Sequence, residues 1–94
     1  MTTPQLPTRT AKTLSRHGYG LTPLFDTVLS EQRYLIGPVE AGEVAAPVGY
    51  VVGHRGLFLA FAQTRPNAVF GFDEVGRHRS FGDAVLTVLA NFVE

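Results

Sequence analysis

Cysteine is missing from all 94 residues, which excludes a disulfide framework and any thiolate metal or redox site. That absence suits a reducing compartment, and a cytoplasmic location is the expectation. Long apolar runs are missing as well. The longest, Leu57 to Ala62, falls far short of the roughly 20 residues a membrane span requires. No apolar h-region stands near the N-terminus, so a secretory signal is not expected. Net charge is zero, with eight basic and eight acidic side chains. The basic excess that usually accompanies nucleic-acid binding is therefore lacking.

Catalytic signatures are equally scarce. There is no Gly-x-Ser-x-Gly elbow and no Gly-rich loop leading to a Lys. Asp73 and Glu74 are adjacent, so on a strand they point to opposite faces and cannot work as a dyad. His17, His54 and His78 show no metal-motif spacing. The expectation is a protein that is not an enzyme, with no cofactor, no metal site and no small-molecule substrate.

What is present reads as one small α+β domain. A 45 % hydrophobic content argues against disorder, while so short a chain buries only roughly 60–65 % of its unfolded surface. Residues 1–16 are rich in Thr and Pro and lack an apolar period. They read as an extended N-terminal arm, flexible or held by a partner, that carries Arg9, Lys12 and Arg16. Residues 17–94 form the domain. Thr22-Pro23 looks like a helix start, a hydroxyl cap followed by Pro at the first helical position. Leu24, Phe25, Val28 and Leu29 follow at helical spacing, which predicts a short helix ending near Gln32. Tyr34 to Ile36 reads as an edge strand broken at Gly37-Pro38, and residues 41–47 as a connecting loop.

Three strands are then predicted at Val48–Gly53, Leu57–Gln63 and Ala68–Val75, with turns at 53–56 and 64–67. Connections this short imply antiparallel pairing. Ser80 is placed to cap a last helix whose stripe is Phe81, Ala84, Val85, Val88, Leu89 and Phe92. The predicted fold is thus a short helix, an antiparallel β-meander of three to four strands, and a C-terminal amphipathic helix packed on it.

Pairing Gly53 with Gly56 and Thr64 with Asn67 assigns side chains to two faces. Val48, Tyr50, Val52, Leu57, Leu59, Phe61, Phe70 and Phe72 make a bulky face, the expected core under the last helix. Gly49, Val51, Phe58, Ala60, Ala62, Val69 and Gly71 make a shallow one. In this register Gly49, Ala60 and Gly71 lie side by side, a row where a helix, a second copy or a partner can approach closely.

The same topology brings the His54-Arg55 turn and the 75–80 connection to one end. His54, Arg55, Arg77, His78, Arg79 and Ser80 then surround a helix N-terminus, a candidate anion or partner site. Two functions compete. One is an assembly module contacting a protein partner or a second copy of itself through an apolar sheet face. The other is a nucleic-acid accessory protein using the basic turns and the arm on phosphates. Neutral charge weighs against the second.

Overall fold

The computed structural model describes residues 5–65 and 71–92. Helix α1 spans Thr8–His17, and strands β1 Tyr19–Asp26, β2 Glu31–Glu40, β3 Glu43–Val44, β4 Gly49–His54, β5 Leu57–Gln63 and β6 Phe72–His78 follow; α2 is Phe81–Asn91. The main sheet runs β1-β2-β4-β5-β6, every neighbour antiparallel, and β3 pairs with β2 as a short hairpin. The class is α+β, an antiparallel meander with a C-terminal helix packed on it, as the sequence predicts. The sheet is wider than expected.

Two segments differ from the expectation, and the second of them widens the sheet. Residues 8–17 are helical instead of extended: Thr10 and Leu14, one turn apart, bury against the rest of the molecule, and Gly18 closes the helix in the left-handed region. Large apolar residues are too few here to produce a visible period. α1 instead reaches α2 through small groups. A Cβ on Gly82 of α2 would stand 2.8 Å from Pro7 Cδ and 3.1 Å from Thr10 Oγ1, so only a residue without a side chain admits the contact.

The expected helix from Thr22 is instead the β1–β2 hairpin. Pro23 pairs with Tyr34 on an edge strand, where a residue with no N–H to give is tolerated. Asp26 Oδ1 accepts from the amides of Val28 and Leu29 at 3.0 Å each, folding the turn with the carboxylate that a helix would have left exposed. β2 also continues through Gly37-Pro38, because β1 pairs with it along that whole length.

Registers shift too. Arg55 and Gly56 take φ of +50° and +78°, so these two residues are the turn and His54 pairs with Leu57. Two-residue hairpin loops need positive φ at both positions. Pairing moves by two residues, which leaves each side chain on its predicted face. On the other side of β5, Ala60 pairs with Gly76 and a bulge follows before Phe61 meets Glu74. Gly49 pairs with Ala62 and Gly71 lies outside β6. The row Gly49, Ala60, Gly71 therefore does not form. The predicted start of the third strand at Ala68, with Val69 and Phe70, lies outside the described residues.

The largest correction concerns the core. α2 has the predicted cap, Ser80 Oγ accepting from the Asp83 amide at 3.3 Å, and the predicted stripe. Yet it covers the shallow face: Phe81, Ala84, Val85, Val88 and Leu89 pack with Ile36, Val51, Ala60 and Ala62. Close approach decides the matter. Gly49, Ala60 and Ala62 let the helix settle onto the strands, and a Cβ on Gly49 would collide with Val88 Cγ1 and the Phe61 carbonyl oxygen. Tyr34 and Phe58 flank this small-residue floor and meet Phe81 edge-on at 4.9 and 5.4 Å between centroids.

Candidate functional site

With α1 and α2 both on one side, the bulky face of β4–β6 carries no helix. The strand registers place three rows on it: Thr22, Leu35, Tyr50, Phe61 and Glu74; then Leu24, Arg33, Val52, Leu59 and Arg77; then Asp26, Glu31, His54 and Leu57. At the far end of β1 and β2 the β3 hairpin folds over this face, where Thr22 Oγ1 accepts from the Val44 amide at 2.8 Å. Among the described residues the remaining face is open.

Its side chains shield one another because nothing else in the described fold shields them. Tyr50 stacks on Phe61 at 4.8 Å and 11°, and Phe72 meets Tyr50 edge-on at 5.5 Å. The Arg33 guanidinium lies 5.1 Å from the Tyr50 ring centroid, a cation–π contact across the row. Arg33 also reaches Glu31 at 3.3 Å and Asp26 at 3.8 Å. These arrangements leave Val52 buried beneath them, while Leu35, Leu57, Leu59 and Phe61 stay half-buried. Large apolar groups are exposed at the β1 side: Leu24 on the edge strand is 50 %, and in the β1–β2 turn Leu29 is 57 % and Val28 89 % accessible.

Burial holds the Tyr50 phenol above its ordinary value; Arg33 opposes this and the Glu31 carboxylate adds to it. A raised acid pKa means the folded chain keeps a proton that the unfolded chain loses above about pH 10. The associated stability is complete below that pH and falls as pH rises through the folded pKa. Against Tyr50→Phe, the wild type is expected to lose stability faster as pH rises above about 10. Urea denaturation of both proteins across that range checks this. A pH-independent difference between them would contradict it.

The basic turn cluster is divided. The β4–β5 turn and the β6–α2 connection do lie at one end of the sheet, since Phe58 pairs with His78. Arg77, however, faces the open side and binds Glu74 at 2.8 and 3.4 Å, which raises its pKa further. His78 turns to the helix side, its Nε2 2.7 Å from Thr87 Oγ1. That hydroxyl donates to the Asp83 carbonyl at 2.9 Å, so His78 Nε2–H is the donor to it. Ser80 is spent on its cap. Arg55 and Arg79 are exposed and form no ion pair among the described residues.

The arm cations sit on α1. Arg9 borders a shallow groove of about 410 Å³ with His78, Asp83, Thr87 and Asn91, whereas Lys12 and Arg16 lie along another shallow groove on α1. Sequence reasoning had no signal for these grooves, because α1 itself was not visible. Among the described residues no group of three His, Asp or Glu is placed to hold a metal ion, and no helix is long and apolar enough to cross a membrane. No family model matches the chain, and no curated protein or solved structure matches it.

Proposed function

We propose that this protein is a small, non-enzymatic interaction and assembly module that associates with itself through the open face of its sheet. One observation carries the reading: both helices pack on the same side, and among the described residues no element covers the aromatic and aliphatic rows of β4–β6. A contiguous row of half-exposed aromatic and aliphatic groups is the kind of patch that marks an interaction surface. The exposed Leu24, Val28 and Leu29 extend it to the β1 edge and the β1–β2 turn.

Light-scattering chromatography over a wide concentration range tests the reading. The wild type is expected at twice the monomer mass or above, and Leu59→Glu, at the middle of the face, at the monomer mass with an unchanged circular-dichroism spectrum. A wild type that remains monomeric throughout would refute it.

A second reading, a nucleic-acid accessory protein, draws support from α1, which carries Arg9, Lys12 and Arg16 and no acid. It requires co-migration with a generic duplex that is lost steeply as salt rises. The same chromatography with duplex added separates the two.

A further inference from the structure

We infer that the molecule seated on the open face is a second copy of this chain, related by a two-fold axis parallel to the strands, with the acidic corner of each copy against the basic corner of the other. The inference rests on the self-association proposed above.

Charge is distributed unevenly around the face. At the end holding the 27–30 and 55–56 turns, the β1–β2 corner carries Asp26 and Glu31 against the single cation Arg33. The opposite corner of the same end carries Arg55 and Arg79, unpaired among the described residues, beside the self-neutralised Arg77–Glu74 pair. At the other end of β1 and β2 stand Glu40 and Glu43, paired across the β2–β3 hairpin and both exposed. One corner is therefore basic, and both ends of the β1–β2 edge are acidic.

Two sheets packed face to face by a two-fold operation can be turned about either in-plane direction. An axis across the strands lays each edge on its own copy, end reversed. Asp26 and Glu31 would then face Glu40 and Glu43 of the second copy, like charge on like. An axis along the strands keeps the ends together and exchanges the edges. The Asp26–Glu31 corner then falls on Arg79 and Arg55 of the second copy, and the symmetry makes that contact twice. Only this arrangement is complementary in charge. Either axis gives the aligned mode of sheet packing, with mean strand directions within about 30°, so charge decides between them.

Area favours the same solution. Five strands about 4.8 Å apart and six residues long give a footprint of roughly 24 by 20 Å. Such a patch, about 480 Å² in projection, falls short by itself of the roughly 600–1,000 Å² per partner that stable interfaces bury, so a contact beyond the sheet is needed. Turning about the strand direction lays the exposed Leu24–Leu29 tip across the second copy's β6 edge, where it adds apolar contact against the stems of Arg77 and Arg79. Zero net charge removes long-range repulsion between copies.

Charge reversal at exposed or half-exposed positions tests the arrangement without touching the core. Glu31→Lys and Arg79→Glu are prepared singly, checked for native circular dichroism, and their self-association is measured by sedimentation equilibrium. Each alone is expected to associate about tenfold more weakly than the wild type, since attraction becomes repulsion at both symmetric contacts. An equimolar mixture of the two is expected to recover wild-type affinity within a few-fold. In the mixed dimer the two substituted side chains meet each other with their charges exchanged, and the remaining contact is native. Singles as tight as the wild type, or a mixture no tighter than the singles, would overturn the arrangement while leaving self-association standing. A wild type monomeric at every concentration would overturn both.

Discussion

Gly49→Ala is expected to destabilise the fold by about 3 kcal/mol, at the upper end of what overpacking a core costs. The added methyl would collide with Val88 Cγ1 from the helix and with the Phe61 carbonyl oxygen from the neighbouring strand. Neither can yield cheaply. Val88 is fully buried and β-branched, with its rotamer fixed by the helix. The carbonyl belongs to the β5 backbone, which pairs with β4 on one side and β6 on the other. A domain of this size has roughly 5–14 kcal/mol in total, so the loss is a large share, and the thermal midpoint should fall by roughly 12–24 °C. Gly53→Ala is the control on the same strand. Its methyl would meet only Phe58 Cε1 at 3.9 Å, an ordinary contact, and a change below about 1 kcal/mol is expected. Equal midpoints for the two variants would show that α2 does not approach β4 as closely as described.

The second large effect separates the two faces with neighbouring residues. Ile36 is fully buried under α2, whereas Leu35 beside it faces the open side and is half-buried. Ile36→Ala should cost about 2–5 kcal/mol, the lost transfer energy plus the cavity left between rigid neighbours. Its self-association, measured on the folded fraction, should be unchanged. Leu35→Ala should reverse the pattern, with a smaller loss of monomer stability and weaker association. Chemical denaturation at low concentration gives the first quantity and sedimentation the second. Similar losses in both quantities for both variants would mean that the faces are not distinct in role.

How much of this was legible in the sequence depended on whether local pattern and tertiary pairing agreed. α2 and β5 were readable to within a residue, because Ser80, a full apolar stripe and tight flanking turns all pointed the same way. From Thr22 to Gln32 they disagreed. Leu24, Phe25, Val28 and Leu29 have helical spacing, but β2 offered a pairing partner along the whole of β1, and the four side chains stayed exposed. The two faces of β4 and β5 were sorted correctly by alternation. Which one received the helix was not, since bulk suggested a core while the small residues permitted the contact. The turn cluster was placed at the right end of the sheet. That Arg77 and His78 would already be engaged depended on the β5–β6 bulge and on Thr87, neither of which the pattern of charges reveals.

The contact of Gly82 with Pro7 and Thr10 has a consequence for the order of events. An isolated helix of α1's length is marginal in water, and its docking site is completed only where the last helix of the fold meets β1. α1 thus stands ahead, in chain order, of both elements that hold it. Its docking is a latch on the finished domain, and loss of that latch should leave the sheet and α2 standing.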